Sequence, residues 1–398
     1  MANRVIKAAK QIKMRDVFAP IVFLLVLVPS LVFRLINCLL RRKLWLIAEE
    51  GEARDNGYHF YKYVREKHPK DYCFYAIKPE SAGYKKVEKL GNVIKWGSLR
   101  HWLYYMSANL NISSQKSGNP CPIFWYVVHV TLGLYRNRVF LQHGVIKDDL
   151  KFVYYNCTRF KYFVCGAERE YKYVLSKFGY DKKSLLLSGL PRWDNLCDVS
   201  KEQAIRSILV MPTWRDWIGG DRNLAFRVKD FKKTSFFKNW NELLNDENLL
   251  DLIKEKNIKI YFYPHINMMK LIKGFRVESK NIEFVSITHD IQDFFNKCDL
   301  MITDYSSAVF DFAFLGKPIV YYQFDLDEYR RRQYKEGYFS YEHDGFGDVL
   351  VDKNSVIDKI RYYVDHDFKT EAKYSKRMQD FFSLHDRCNC ERVYKAIK

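Results

Sequence analysis

The sequence lacks the cysteine patterns that mark metal-binding proteins. Its nine cysteines are scattered, and none of them falls in a CxxC pair. Cys388 and Cys390 flank Asn389, a spacing that fits no common zinc motif. An odd number of unpatterned cysteines is typical of a reducing cytosol, where they serve as small buried apolar side chains. We therefore expect no metal site.

Two nucleotide-binding signatures are missing as well. The sequence contains no GxGxxG fingerprint and no P-loop, which disfavours dinucleotide oxidoreductases and NTPases. It also contains no internal repeat and no low-complexity tract. We therefore expect no resident cofactor.

Acidic residues are fewer than basic ones. The 47 Asp and Glu face 66 Lys and Arg, which gives a formal net charge of +19. This excess favours an anionic partner, namely lipid headgroups, nucleic acid or a phosphorylated substrate. No RNP-type or helix-turn-helix signature is present, so we expect no nucleic-acid partner. A membrane-bound scaffold without catalytic activity is the alternative of a different class.

The positive charge is concentrated at the amino terminus. Residues 1–43 contain nine Lys and Arg against Asp16 alone, and residues 17–33 carry no charge. The charge-free segment is at the lower length limit for a spanning helix, and we expect Pro20 and Pro29 to interrupt it. The pattern favours an in-plane or re-entrant anchor on an anionic membrane surface. A single span and a buried core helix are the alternatives.

The flanks of this segment indicate on which side of a membrane the chain lies. Val5, Ala8 and Ile12 share one face of a predicted amphipathic helix before the apolar run. No convincing signal-peptide cleavage site follows the run. The flanking positive charges predict that the remaining chain is cytoplasmic.

From Lys43 onward, short apolar runs alternate with amphipathic stretches. The predicted strands are 44–48, 72–77, 92–95, 109–112, 138–142, 160–165, 184–188, 206–211, 258–263, 282–285, 299–303 and 318–322. The predicted helices between them are 58–67, 98–106, 122–134, 168–177, 235–255, 290–297, 306–315, 354–364 and 370–382. Strands that are apolar on both faces and separated by helices predict parallel sheets covered on two sides.

A polar turn, SGLPRWDN at 188–195, is the best candidate for a domain boundary. It predicts an α/β protein with two doubly wound domains, at 44–195 and 196–398, behind the anchoring segment 1–43. We expect a cleft at the carboxyl ends of both sheets, where doubly wound folds bind ligands.

Polar residues follow several of the predicted strands. An Asp and two Ser stand where the strand 299–303 ends and a helix begins, and the helix amino terminus there is an anion site that Ser306 or Ser307 would cap. Capping alone is the alternative explanation for that stretch. The residues at the predicted strand ends are His143, Gly144, Arg192, Asp194, Arg215, His265, Asp304, Ser306 and Ser307. So many polar residues on one predicted rim favour a phosphate-binding site.

These residues carry a family resemblance. The stretches QHG, GLPRWD, PTWRD, YPH and above all DLMITDYSSAVFDFAFLGKPIVYYQFDLDEYRR resemble the CDP-glycerol glycerophosphotransferases of teichoic-acid and capsule synthesis. ARDNGYHFYKYVREKHP at 53–69 resembles the amino-terminal domain of that family. The resemblance implies two Rossmann-like domains of the GT-B type, with a donor bound mainly by the second domain and peripheral attachment to the cytoplasmic face of the membrane.

The resemblance also implies a reaction and roles for the residues. An acceptor hydroxyl, on a lipid-linked saccharide or a polyol-phosphate polymer, would attack the phosphorus of CDP-glycerol and release CMP. His143 is our choice for the base, with Gly144 leaving room for ligand. His265, Ser306 and Ser307 would hold the diphosphate, and Arg215 with Arg330 or Arg332 would clamp it. A solvated basic face is the alternative for Arg330 and Arg332.

The remaining candidates have less specific roles. Asp304 would orient His265 or bind the ribose, and Asp311 would be structural or bind the polyol. Asp55 and Asn56 would touch the acceptor, although a helix cap explains them equally well. Arg192 and Asp194 would lie at the acceptor side or the hinge.

The sequence departs from the family pattern in two places. QHGVIKDD replaces the commoner Trp-His-Gly-Thr-Pro-Leu-Lys-Lys, and LHDRCNCERV is only loosely like the family's Asp-Gly ending. The first departure leaves the acceptor open. The alternatives for the donor are CDP-ribitol, or a nucleotide sugar used by a GT-B glycosyltransferase.

Overall fold

The computed structural model describes residues 14–51, 53–218, 228–286 and 288–398. The predicted face of Val5, Ala8 and Ile12 lies outside these residues. Within them, the chain forms two compact units. The described part of the first unit is 14–51, 53–143, 151–195 and 386–398, and that of the second is 144–150, 196–218, 228–286 and 288–385.

The chain passes into the second unit after Asn195, where the sequence placed the boundary. Two segments differ from the expected division. The segment 386–398 packs in the first unit, because Asp194 accepts hydrogen bonds from the backbone N–H groups of Asn389 and Cys390 at 2.9 and 2.8 Å. Residues 144–150 pack in the second unit, where Asp148 and Asp149 pair with the strand Lys335–Glu336.

The predicted strands are present, with bounds within two residues of those expected. The first eight strands are β1 Trp45–Ala48, β2 Cys73–Ile77, β3 Val93–Lys95, β4 Leu110–Ser113, β5 Arg138–Phe140, β6 Asp148–Asp149, β7 Tyr162–Cys165 and β8 Leu185–Leu187. The others are β9 Ser207–Met211, β10 Lys259–Phe262, β11 Ile282–Phe284, β12 Leu300–Thr303, β13 Ile319–Tyr322, β14 Lys335–Glu336 and β15 Gly347–Leu350. β6, β14 and β15 were not predicted from the sequence.

Each unit is built on one parallel sheet. The sheet of the first unit has the order β3-β2-β1-β4-β5-β7-β8, and that of the second has the order β11-β10-β9-β12-β13-β15. Both orders begin as 3-2-1-4-5, which is the doubly wound arrangement. The strand order reverses between β1 and β4 and between β9 and β12, and ligands bind beyond the carboxyl ends of strands at such a reversal.

Helices cover both sheets. Those of the first unit are Met14–Leu39, Asn56–Lys67, Tyr84–Glu88, Leu99–Ser107, Pro122–Tyr126 (continued by a π-helical turn, Val127–Thr131), Tyr155–Thr158, Glu168–Lys177 and Asn389–Ile397. Those of the second are Val228–Phe231, Ser235–Leu244, Glu247–Glu255, Ile291–Lys297, Val309–Phe314, Leu326–Arg332, Tyr341–Asp344, Lys353–Asp365 and Ala372–Phe381. The predicted helix 235–255 is two helices, because Asp246 caps a new one by accepting from the Asn248 N–H at 3.0 Å.

The apolar segment forms a single helix, Met14–Leu39. Pro20 and Pro29 lie inside it, so the expected interruption is wrong. The helix packs against the first unit on one face, where Phe23 meets Trp125 with ring centroids 6.0 Å apart and Ser107 donates to the Ser30 carbonyl at 3.0 Å. Most of its other side chains are exposed, which corrects the alternative of a buried core helix. By length and composition it could cross a membrane.

Candidate active site

His143 is held at the carboxyl end of β5 by a fixed backbone. The residue before it, Gln142, has a φ of 66°, in the left-handed region that non-glycine residues rarely adopt. The Asn56 amide donates to the Gln142 carbonyl at 2.8 Å, and the Gln142 amide donates to Glu170 at 3.0 Å. Such backbone strain persists only where the surroundings impose it, and it is concentrated at functional sites.

Asp55 orients the His143 ring. One carboxylate oxygen of Asp55 accepts a short hydrogen bond from Nδ1 of His143. The other accepts from an Arg192 guanidinium N–H at 2.7 Å and from the Asn56 backbone N–H at 2.8 Å. Arg192 also donates to the His143 carbonyl at 2.6 Å. Asp55 therefore caps the helix Asn56–Lys67 and binds the imidazole at the same time.

The pairing sets the protonation of both groups. The Asp55 charge and the hydrogen bond to it hold the pKa of His143 above its usual value of 6.5, because they outweigh burial and the adjacent Arg192 charge, which both lower it. Burial opposes ionisation of Asp55, but His143 and Arg192 lower the pKa of that carboxyl well below its usual range. Because Nδ1 donates to a carboxylate, the neutral ring presents the lone pair of Nε2. The side chain is 83% exposed, so Nε2 is accessible.

Glu49 is a site residue that the sequence analysis missed. It follows β1 and is buried, and it accepts from the Tyr75 hydroxyl at 2.6 Å and from the Gly57 N–H at 3.2 Å. Burial and the nearby Asp55 charge raise its pKa to about 7. A Cβ at Gly57 would lie 2.3 Å from a Glu49 oxygen, so only glycine allows this approach. The signal in the sequence was an acidic pair, Glu49 and Glu50, directly after a buried strand.

Two further candidates of the first unit serve its architecture. The Asn56 side chain is fully buried, and its oxygen accepts from the Arg192 backbone N–H at 3.0 Å. The Asn56 side chain therefore joins Arg192 to Gln142, the residue before His143, and does not face solvent. Asp194 binds the start of the carboxyl-terminal helix, as described above, and lies next to the unit boundary at Asn195, which favours the hinge over the acceptor side.

In the second unit, Arg215 is a structural residue, which corrects its assignment as a diphosphate clamp. It is fully buried and forms a bidentate pair with Asp325, with both N–O distances at 2.9 Å. It also lies 2.9 Å from an Asp304 oxygen and donates to the Thr213 carbonyl at 2.6 Å. Burial alone would lower the pKa of Arg215, but the two carboxylates raise it above its usual value.

Asp304 is committed to this same cluster. One of its oxygens accepts from the Thr213 N–H at 2.8 Å, while the other meets the Arg215 guanidinium at 2.9 Å. Thr213 follows β9 and Asp304 follows β12, so the carboxylate joins the two strands at the reversal of strand order. Asp304 therefore shapes the sheet edge beside Ser306, a role other than the predicted contact with His265 or ribose.

Ser306 and Ser307 lie at the carboxyl end of β12 and are partly exposed. The helix begins later than expected, at Val309, and its cap residue is Ala308, whose side chain makes no capping hydrogen bond. The Ser306 hydroxyl instead accepts from the Ala308 N–H at 3.2 Å, so neither serine caps the helix. Asp311 is fully buried within that helix, which favours the structural role over polyol binding.

His265 lies beyond β10, on the neighbouring strand of the same sheet. Its Nδ1 accepts from the Asn267 N–H at 3.2 Å, so the neutral ring carries its proton on Nε2. The ring stacks on Trp214, with centroids 5.7 Å apart and planes at 25°. In this tautomer the neutral ring has one N–H donor, at Nε2.

The segment after His143 begins with Gly144, which is partly exposed. Arg330 donates to Asp148 of this segment at 2.6 Å, so it anchors the segment within the second unit. Arg332 pairs with Glu328 at 2.9 Å and lies over the Trp217 ring at 4.9 Å, on an exposed face. These contacts favour structural and surface roles over the predicted diphosphate clamp. Among the described residues, no group of three His, Cys, Asp or Glu could hold a metal ion.

Two doubly wound units, with ionisable residues at their carboxyl-end rims, define an α/β protein of the GT-B type. The model of the family CDP-Glycerol:Poly(glycerophosphate) glycerophosphotransferase matches residues 32–398. The chain therefore belongs to this family, as its motifs predicted.

Curated relatives agree with this assignment, and a solved structure agrees with the fold. The Minor teichoic acid biosynthesis protein GgaB of Bacillus subtilis (strain 168) is 34% identical over 374 residues, which cover 92% of this chain and 40% of GgaB. The Teichoic acid poly(glycerol phosphate) polymerase of the same strain is 24% identical, covering 85% of this chain and 46% of the polymerase. The chain thus spans less than half the length of these two relatives. The structure of the Wall Teichoic Acid Polymerase TagF superposes with a TM-score of 0.65 at 18% identity, covering 93% of this chain and 96% of that one.

Proposed function

We propose that this chain transfers glycerol phosphate from CDP-glycerol to a hydroxyl of a lipid-linked or polymeric acceptor and releases CMP, in the synthesis of a teichoic-acid or capsule-type polymer. The observation that carries the proposal is the exposed His143 ring bonded through Nδ1 to Asp55. This geometry leaves Nε2 as a base near neutral pH, which is what attack by an alcohol requires. Family membership supports the donor.

In the proposed reaction, the acceptor oxygen forms a bond to the phosphorus that bears the glycerol. The bond from that phosphorus to the bridging oxygen breaks, and its electron pair leaves with CMP. Nε2 of His143 takes the proton of the attacking hydroxyl, and Asp55 stabilises the imidazolium that results. Arg192, which binds both Asp55 and the His143 carbonyl, keeps the pair in place.

Donor binding is assigned to the carboxyl-end rim of the second sheet. The hydroxyls of Ser306 and Ser307 are partly exposed there and would donate to phosphate oxygens. His265 would donate from Nε2, since its Nδ1 is already engaged by Asn267. These three groups remain the proposed diphosphate ligands, without the fully buried Arg215.

We place the chain on the cytoplasmic face of the membrane, with the helix Met14–Leu39 lying in the membrane plane. Support comes from contacts near both ends of the helix, since Cys121 donates to Asp16 at 3.0 Å and Phe33 packs on Tyr104 at 5.1 Å. A helix held along its length exposes one apolar face, as in-plane helices do. Exposed Leu24, Leu25 and Val28 belong to that face.

A donor panel tests the proposal. The purified chain is incubated with CDP-glycerol, CDP-ribitol or UDP-sugars and a lipid-linked acceptor, and the nucleotide and the product mass are measured. We expect CMP in step with acceptor molecules that are heavier by one or more glycerol phosphates. CMP with ribitol phosphate addition would shift the assignment to the polyol alternative, and UDP release with sugar addition would replace it by a glycosyltransferase.

A further inference from the structure

The first unit contains a groove of about 460 Å³ whose lining residues do not include His143. The helix Met14–Leu39 lines it through Arg15, Phe18 and Val22, and most of the other lining residues lie at or directly after the carboxyl ends of β2 and β3. Its volume is within the range of about 300–1,000 Å³ that is usual for small-molecule sites. None of the candidate site residues named above lines this groove.

The groove has a cationic part. Arg15, Lys78 and Lys95 line it, and Glu80 is also among its lining residues. Arg15 and Lys78 additionally approach Glu50, at 4.0 and 2.9 Å. Lys78 remains 37% exposed and Arg15 40% exposed, so both retain donors for a ligand. Guanidinium and ammonium groups converging on one recess are suited to a phosphate or phosphodiester.

The groove also has an apolar part. Phe18 and Val22 line it from the helix, and Trp96 and Trp102 line it from the body of the unit. Trp96 is nearly buried, and its indole N–H has no hydrogen-bond partner among the described residues. A ligand that satisfies both parts must combine an anionic head with an apolar portion. This combination describes a membrane amphiphile and not a free nucleotide.

The position of the groove indicates which amphiphile it takes. Lys78 follows β2, and its partner Glu50 adjoins Glu49, the buried carboxylate beside Asp55. β2 pairs directly with β1, so the groove and the His143 site lie on the same carboxyl-end rim of one sheet. The helix that forms its outer wall exposes an apolar face suited to a bilayer. A ligand drawn from the membrane through this groove would reach the catalytic rim.

We propose that this groove binds the phosphate-bearing head of the lipid-linked acceptor, with Lys78 and Lys95 holding the phosphate and the apolar wall receiving the start of the lipid chain. The identification of the ligand as the acceptor rests on the proposed function. Binding of an anionic amphiphile by the groove stands on the geometry alone.

A binding experiment tests the groove without any catalysis. The full chain is titrated calorimetrically with dihexanoyl phosphatidylglycerol, below its micelle concentration, and separately with dihexanoyl phosphatidylcholine. We expect preferential binding of the anionic lipid, weakened by at least about tenfold in the double variant Lys78→Gln/Lys95→Gln, because a tenfold loss corresponds to one charge-assisted contact and the variant removes two. The matched control is Lys177→Gln/Lys183→Gln, which removes the same charge near the opposite edge of the same sheet.

Equal binding of the two lipids, or unchanged binding by Lys78→Gln/Lys95→Gln, would contradict the proposal that the groove binds an anionic amphiphile.

A second measurement tests whether this ligand is the acceptor. With CDP-glycerol as donor, the double variant should raise the KM for a lipid-linked acceptor about tenfold and leave the KM for CDP-glycerol unchanged. An unchanged acceptor KM in an active enzyme would contradict the acceptor assignment and make the groove a docking site for bulk lipid. If no donor is turned over but the lipid binds as expected, the proposed function is wrong and the assignment of the groove as an anionic-lipid site is retained.

Discussion

The carboxylate of Asp55 binds His143 through one oxygen and Arg192 through the other. This arrangement fixes the ring tautomer and keeps Asp55 ionised, because burial is outweighed by two adjacent cationic groups that lower its pKa. The same carboxylate caps the helix Asn56–Lys67, so the orientation of the imidazole depends on the start of that helix.

Asp55→Asn should reduce the rate and shift its pH dependence. The Asp55 charge holds the pKa of His143 above 6.5, so the rate rises with pH as the ring loses its proton. Without this charge the pKa falls, and the acid limb of kcat/KM moves to lower pH. The maximal rate should fall by on the order of 10²–10⁴-fold, because the ring is no longer held as a base.

The exposed Asp181 offers a control for this variant. It lies in the first unit and accepts from the Ser184 N–H at 2.8 Å, in a surface turn. Asp181→Asn should leave the profile of kcat/KM against pH unchanged. An Asp55→Asn enzyme whose acid limb coincides with that of the wild type would count against the pairing.

Glu49→Gln should produce a smaller shift in the same direction. Glu49 has a pKa of about 7, set by burial and by Asp55, and its negative charge raises the pKa of His143. The amide preserves an acceptor for the Tyr75 hydroxyl but removes the charge. We expect the acid limb of kcat/KM to move to lower pH while the exposed control Glu168→Gln leaves it unchanged. If the profiles of Glu49→Gln and wild type coincide, the proposal that Glu49 influences the pKa of His143 is wrong.

Arg215→Met should destabilise the second unit. The substitution leaves the carboxylates of Asp304 and Asp325 buried without their cation. Breaking a buried ion pair in this way costs about 3–5 kcal/mol of unfolding free energy. Urea unfolding monitored by fluorescence measures the change, and the exposed Arg361→Met is the control. A loss below about 1 kcal/mol would be that of a surface pair and would contradict the structural role.

Acid should destabilise the first unit through three buried histidines. Burial lowers the pKa values of His59, His101 and His129 to about 3 each. The unfolded chain binds protons at these side chains below pH 6.5, so the folded state has its full stability above pH 6.5 and loses it as the pH falls toward 3. Each histidine lowers the unfolding free energy by up to about 1.4 kcal/mol for each pH unit of acidification in that interval.

The midpoint of urea unfolding between pH 7.5 and 4.5 measures this loss. His101→Gln should reduce the slope, because it removes one of the three protons taken up on unfolding. The exposed His366→Gln is the control and should not alter it. A midpoint that is independent of pH over this range would contradict the neutral, buried state of these rings.

Much of the fold could be predicted from the sequence, because parallel strands buried on both faces form uninterrupted apolar runs. β15, GDVL, was missed because it is short, half-buried and contains Asp348. The helix Leu326–Arg332 was missed because it is almost entirely charged. Pro20 and Pro29 were wrongly expected to break a helix that continues through both.

The candidate site was predicted in part. His143 was chosen as the base because a histidine followed by glycine after an apolar strand is a recognisable pattern, and that role stays a prediction. The structural role of Arg215 was not predictable, since Asp325 lies 110 residues further along the chain and burial is decided by that pairing. Glu49 was missed for the same reason, because its partners Tyr75 and Gly57 are brought to it only by the sheet and the following helix.

The most direct test of the account compares wild-type chain with His143→Ala for CMP release from CDP-glycerol in the presence of a lipid-linked acceptor. Far-UV circular dichroism establishes that both are folded. The account predicts transfer of glycerol phosphate by the wild type and a rate that is lower by on the order of 10²–10⁴-fold in the variant. A folded His143→Ala chain that releases CMP at a near-normal rate would contradict the assignment of this imidazole as the base.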